Sequence, residues 1–173
     1  MLIIYSLEKD LFCDIMEHYV LLSILPRWAE AILNGEKKWE YRRVLPKVPV
    51  GAKIILYASE KVQAIVGEFV VEKILKEDVE RLTIHTFQET PHNVDDIKSY
   101  FSNLKTGSAF RVCKIIRYDK PITLKEIRTA VPDFSPPQSF LYLREEDTRT
   151  SKILRLLPNN TIASRQKNLF SAL

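Results

Sequence analysis

Residues 35–43, GEKKWEYRR, carry four cations (Lys37, Lys38, Arg42, Arg43), two anions (Glu36, Glu40) and two large aromatics (Trp39, Tyr41) in nine positions. A solvated loop has no use for a tryptophan, and a buried strand has no use for six charges. A strand with two unlike faces accommodates both. Side chains alternate along an extended chain, which predicts Lys38, Glu40 and Arg42 on one face and Trp39, Tyr41 and Arg43 on the other. The aromatic face anchors the strand in a core. The charged face offers donors, one acceptor and positive charge to a ligand such as a nucleotide.

Each side chain has a chemistry of its own. Lys37, at the exit of the preceding turn, pairs with a phosphate in water; desolvated beside Arg42, it has a lowered pKa and can serve as base or nucleophile. Glu40 can accept from a base or sugar, or act as general acid–base if burial raises its pKa. Arg42 and Arg43 suit a phosphate by bidentate geometry; facing opposite ways they cannot both line one cleft, and Arg42 is the one expected there. Lys37 and Glu40 are thus the catalytic candidates if the protein is an enzyme.

The charge distribution points the same way. Of 26 Lys and Arg and 22 Asp and Glu, six cations and two anions fall between Gly35 and Lys53, so the remaining 20 and 20 cancel. The whole formal excess of +4 lies in one short segment, and a concentrated basic patch on a neutral background suits an anionic partner. No apolar run approaches the roughly 20 residues that span a bilayer, and the N-terminal stretch meets Glu8, Lys9 and Asp10 too early for a secretory signal. A cytoplasmic protein without membrane contact is expected. Cys13 and Cys113 show no CxxC spacing and cluster with none of His18, His85 and His92, so two free thiols, no metal site and no cofactor are expected. The sequence sets no oligomeric state.

The elements that must position the motif are short and mixed. YVLLSIL (19–25) reads as a buried strand, and Pro26 then opens a helix, PRWAEAILN, stopped by Asn34-Gly35, with Trp28, Ile32 and Leu33 on one stripe. Trp28 reads as core. KIILYAS (53–59) and QAIVGEFVVEKIL (63–75) are strands, the second with a bulge or close approach at Gly67. KEDVERLTIHTF and NVDDIKSYFSNL are helices opened by Asp or Asn caps. Residues 108–118 form a strand with Phe110, Val112 and Ile116 inward, and Thr123 with Glu126 makes a capping box for a short helix over 123–130. Prolines keep 131–143 extended, and a tail helix through Ile153, Leu154 and Leu157 follows. With only four glycines and no Gly-rich loop, neither a dinucleotide fold nor a P-loop fits. The expected fold is α+β, a small mixed β-barrel of about five to six strands with short flanking helices.

The motif G-x-K-x-x-E-x-R (Gly35, Lys37, Glu40, Arg42) follows the strand–helix unit LLSILPRWAEAILN and precedes KIILYAS and IVGEFVVEKI. This arrangement resembles the ASCH domain of the PUA-like β-barrel superfamily. The resemblance divides the chain into an N-terminal extension (1–15), the domain (16–144, including PPQSFLYL) and a C-terminal helical tail (145–173). It implies a PUA-like barrel whose cleft carries the motif and binds RNA or another single-stranded nucleic acid, or a modified nucleoside. The nucleic-acid-binding set is then Lys37, Lys38, Glu40, Arg42, Arg43, with Tyr57 and Ser59 where such barrels open on the cleft, and Gln138, which a stiff Pro-Pro segment holds to read a base edge. Ser59 lacks a His–Asp arrangement, which argues against a hydrolase triad. The alternative the resemblance implies is an enzyme acting on RNA or a modified nucleoside, a ribonuclease or an amidohydrolase, using Lys37 and Glu40. Amidohydrolases of the family use a Lys, a Thr and a distant Glu. Here Lys37 matches, Glu40 stands in place of the threonine, and Glu80 or Glu89 is the candidate distant acid.

Overall fold

The computed structural model describes residues 18–158. The N-terminal extension expected over 1–15, the free thiol of Cys13 and the part of the tail after Pro158 lie outside that range. Pro26 and the apolar run before it act as the sequence suggests. β1 (Tyr19–Ile24) leads into α1 (Pro26–Leu33), whose Ala29 and Ile32 are buried while Trp28 and Leu33 pack half-buried against the same cluster. The motif strand β2 (Trp39–Arg42) follows, then β3 (Lys53–Ala58), β4 (Ala64–Asp78), α2 (Val79–Thr86), α3 (Val94–Tyr100), β5 (Thr106–Thr123), α4 (Leu124–Ala130), β6 (Phe140–Leu143) and α5 (Thr150–Leu154).

The strands form one six-stranded sheet in the order β2-β5-β4-β3-β1-β6. Only β1 and β3 pair in parallel; every other neighbour is antiparallel. The expected barrel is corrected here: the sheet is not closed. β2 and β6 are edges of four residues each and do not pair with one another. The sheet nevertheless curls until a side chain bridges from β2 to the end of β1, where Arg42 Nη2 donates to the Ser23 carbonyl at 2.8 Å.

Both faces of the sheet are covered, which explains why β1 and β3 read as continuous apolar runs rather than alternating ones. Leu21, Ile55, Tyr57 and Ile65 belong to one buried cluster, with Ile153, Leu154 and Leu157 from the C-terminal segment in the same cluster. Val20, Leu22, Ile54, Leu56 and Phe69 belong to a second. Trp39 and Tyr41 enter a third with Leu82, Ile97 and Phe101 of the α2–α3 region, so the motif's aromatics do anchor the strand. The helix starts match the caps read from the sequence: Asp78 accepts from Glu80 N, and Asn93 with Asp96 and Thr123 with Glu126 form capping boxes.

The curl comes from irregularities in the long pair β4 and β5, whose register shifts three times. At one shift Lys114 takes a left-handed φ of 45° and adds a residue to β5, a bulge that bends the strand and reverses its facing. Ile115 therefore packs against the core and Ile116 is 39% exposed, which corrects the inward placement expected of Ile116. At another shift lies Gly67, as anticipated: an added Cβ would sit 2.4 Å from the Ile116 carbonyl oxygen and 2.6 Å from Leu33 Cδ2 of α1. Gly67→Ala is expected to destabilise the protein by about 1–3 kcal/mol by overpacking this contact, read as a lower urea midpoint. An unchanged midpoint would show that strand and helix part there freely.

Candidate functional site

The motif begins at the end of α1. Asn34 and Gly35 reverse the chain, Gly35 at φ 78°, where a Cβ is disfavoured. The Lys37 amide then donates back to the Ala31 carbonyl at 2.9 Å, so Lys37 enters the fold from a turn rather than from the strand. Lys38 is fixed through its backbone: its N–H donates to Glu89 O and its carbonyl accepts from Val112 N, both at 2.9 Å. Glu89 also accepts from Trp39 Nε1 at 2.8 Å and from Arg111 Nη1 at 2.5 Å. These bonds set where β2 starts, at Trp39.

Because strand alternation starts only there, the charged face differs from the sequence reading. Lys37, Glu40 and Arg42 come together, while the Lys38 side chain is exposed outside the cluster. Arg43 lies elsewhere as expected, donating to the Tyr100 carbonyl at 2.7 Å with its guanidinium 5.3 Å from the Tyr100 ring. In the cluster Glu40 uses both oxygens: Oε2 accepts from Lys37 Nζ, and Oε1 accepts from Arg42 Nε at 2.8 Å. Lys37 and Glu40 are each only 3% exposed.

Two cations surround one anion in this buried group, so one positive charge has no counter-charge within the group. Burial pushes the Lys37 ammonium below its ordinary range; Glu40 opposes that shift and Arg42 adds to it. Burial alone would raise the Glu40 carboxyl, but Lys37 and Arg42 together hold it below the ordinary value. Glu40 is therefore a carboxylate that holds two cations, not a poised proton donor.

The cluster floors a cleft of about 290 Å³ whose other walls include Arg27, Trp28, Tyr41, His92 and Tyr100. The His92 ring lies 4.0 Å from Trp28, tilted by 42°, and 5.7 Å from Tyr41 in edge contact. Lys37 Nζ stands 5.7 Å from the Trp28 and Tyr41 centroids alike. The Tyr41 hydroxyl donates to Thr86 Oγ1 at 2.8 Å, and burial raises its pKa to about 12. Burial and the Lys37 charge push His92 down to about 4, so its ring is neutral near pH 7. The cleft is small enough to enclose one nucleoside-sized ligand, with flat walls for a ring and cations for an anion.

Tyr57, Ser59 and Gln138 do not line this cleft. They meet in an adjoining hollow that shares Ser23, Ile24 and Leu25 with it. Glu80 and Glu89 line neither. Sequence reasoning missed His92, Tyr100 and Arg27, and took Trp28 for core alone; in the fold Trp28 both packs on the core and walls the cleft. Trp28 was legible as an aromatic one turn into a Pro-started helix. His92 carries no local signal, since only the packing of its loop against α1 brings it to the site.

Residues 22–121 match the ASCH domain profile, and the chain belongs to the ASCH domain family. It is 30% identical over 129 residues to an ASCH domain-containing ribonuclease of Zymomonas mobilis, covering 75% of this chain and 86% of that protein. The crystal structure of ASCH from Zymomonas mobilis superposes with a TM-score of 0.72 at 30% identity, over 80% of this chain and 94% of that one. The chain is also 27% identical over 135 residues to ATP synthase subunit alpha of Ureaplasma parvum, covering 76% of this chain and 16% of that protein.

Removing the shared carboxylate leaves two buried cations without a counter-charge. Glu40→Gln is expected to lose about 3–5 kcal/mol of stability, and adding Lys37→Met should recover part of it; both are read by urea denaturation. Acid has two separable effects. His92, depressed in the folded state, contributes stability that is present above pH 6.5 and lost as pH falls towards about 4. Glu40 contributes stability present above its ordinary 4.5 and lost below that, through its lowered folded pKa. His92→Phe should therefore flatten the stability profile between pH 6.5 and 4 and leave the more acidic loss in place, as followed by thermal melts across that range.

Proposed function

We propose that this protein binds single-stranded RNA in the cleft and cleaves it, with a base held among Trp28, Tyr41 and His92 and the adjoining phosphate on Arg42 and Lys37. The observation that carries this reading is the buried Lys37–Glu40–Arg42 group with one cation in excess. An anion entering the cleft supplies the missing counter-charge. Arg42 engages Nε and Nη2 within the protein, which leaves Nη1 for a phosphate oxygen. The ribonuclease relative at 30% identity supports RNA over other polyanions.

The chemistry follows from the lysine. Burial favours loss of the Lys37 proton, and the deprotonated form takes the proton of a ribose 2′-hydroxyl. The 2′-oxygen bonds to phosphorus, the bond from phosphorus to the 5′-oxygen breaks, and the leaving oxygen takes a proton from water. The products are a 2′,3′-cyclic phosphate and a 5′-hydroxyl. Glu40 positions Lys37 and Arg42, and Arg42 meets the charge that develops on phosphorus. Among the described residues no group of three or more His, Cys, Asp or Glu is placed to hold a metal, and the scheme needs none.

The test uses labelled single-stranded RNA. Wild type should cut it to cyclic-phosphate ends in the presence of EDTA and bind the all-deoxy strand without cutting it. Its rate should rise with pH to a midpoint below the lysine value of 10.5. Lys37→Met should lower cleavage by about 10²–10⁴-fold while RNA remains bound. Arg42→Ala should weaken binding and its salt dependence together. Binding without cleavage would leave an RNA-binding module. No binding at low salt would sink the RNA reading, and the cleft would then be tried against single modified nucleosides.

A further inference from the structure

Three basic groups converge on one indole. The Arg27 guanidinium stands 4.6 Å from the Trp28 ring, Lys37 Nζ 5.7 Å and the His92 ring 4.0 Å. Lys37 and His92 also share Tyr41, each at 5.7 Å. The charged groups that act on His92 come from each element around it: Arg27 from α1, Lys37 from the turn that follows, Glu40 from β2 and Asp96 from α3. Arg42, Tyr41 and Tyr100 line the same space. Against the cationic side chains of Arg27, Lys37 and Arg42, the lining offers one carboxylate, and Glu40 already accepts from Lys37 and Arg42. Asp96 accepts from the Asn93 amide in the cap of α3.

That balance keeps His92 neutral. A place against an indole favours a cation, yet burial and then the Lys37 charge work against one, and Glu40 and Asp96 offset them only in part. An anion seated on Arg42 and Lys37 reverses the local field. It cancels the Lys37 charge and sets negative charge in the same small cleft as the ring. An opposite charge within about 4–6 Å moves the pKa of a titratable group by about 1–3 towards the charged form. The effect is reciprocal, since the factor by which the anion favours the proton is the factor by which the proton favours the anion. The affinity so gained is fully present below the free value of about 4 and is lost as pH rises through the higher value of the bound state.

We propose that His92 is a proton-linked anion ligand: a phosphate seated on Arg42 and Lys37 enters the cleft with one proton, which the His92 ring takes to become a cation facing it. This rests on the reading of the cleft as a phosphate site and adds what the bound charge does to the protein. The cleft then answers to charge in two stages. One excess cation stands in the Lys37–Glu40–Arg42 group, and a second appears on His92 only with the anion. When an oxygen attacks phosphorus and the negative charge there grows, the second cation is in place to meet it.

The experiment follows the histidine ring protons by NMR, to which only His18, His85 and His92 contribute. Replacing the exposed His18 and His85 with Gln assigns the remaining signal without touching the cleft. The probe is uridine 2′,3′-cyclic phosphate, whose single charge and whose base do not titrate across the range used; uridine is the uncharged control. At saturating probe the His92 midpoint should rise from about 4 by about 1–3, with no rise in uridine. By calorimetry, wild type should bind the probe about fivefold or more tightly near pH 4 than near pH 7, and His92→Phe should lose that gain. A probe that binds while the His92 midpoint stays at about 4 would overturn the linkage and leave the phosphate and RNA readings intact. An acid gain equal in wild type and His92→Phe would overturn it too, because the proton then goes elsewhere. No binding of the probe at either pH would overturn the phosphate reading and the linkage together.

Discussion

A single buried carboxylate holds the site together. Moving charges out of water is unfavourable, and a buried pair is tolerated only when its geometry and remaining hydrogen bonds are good. Glu40 meets that condition by accepting from Lys37 with one oxygen and from Arg42 with the other. Arg42 is further satisfied by the Ser23 carbonyl. Lys37 is the least satisfied member: an ammonium has three donors, and its surroundings are one carboxylate oxygen and two aromatic rings, each 5.7 Å away. The proton held least firmly in the cluster is thus the one on Lys37. The burial that lowers its pKa is also what leaves those donors short of partners.

That cluster needs β2 to be fixed on its other side, and the alternation of the strand supplies the means. Trp39 and Tyr41 are sealed among Leu82, Ile97 and Phe101, while Glu89 grips Trp39 and Arg111 and receives the Lys38 amide. The aromatics and the charges that look incompatible in one short segment are therefore two halves of one device. The apolar half sets the position of the strand, and the charged half uses that position. The bulge at Lys114 and the close approach at Gly67 belong to the same scheme, since bulges bend a sheet and the bend brings β2 back towards β1.

Much of this was legible in the sequence wherever the cause is local. Pro26 at a helix start, the capping boxes at Asn93 and Thr123 and the apolar runs of β1 and β3 all act through neighbours within a few residues. Glu40 and Arg42 were correctly paired on one face because both lie inside β2. Lys38 was placed with them in error. Alternation holds only within a strand, and the strand begins after Lys38, where a backbone bond to a residue 51 positions away fixes its start. Ile116 failed for a related reason, since an added residue at Lys114 reverses facing. His92, Tyr57 and Gln138 are sorted into their two spaces by tertiary packing alone, and no local pattern carries that information.

The difference between the expected barrel and the observed open sheet bears directly on function. A closed barrel satisfies its edges with a backbone ladder. Here the edges are short, and what crosses from β2 to the end of β1 is one guanidinium on one carbonyl. A ladder is continuous and leaves no room, whereas a single side-chain bridge leaves space on either side of it. The cleft and the hollow are those spaces, and Ser23, at the bridge, borders both. The same bridge places a cation, Arg42, between a cleft lined by charged side chains and a hollow whose described lining residues are uncharged.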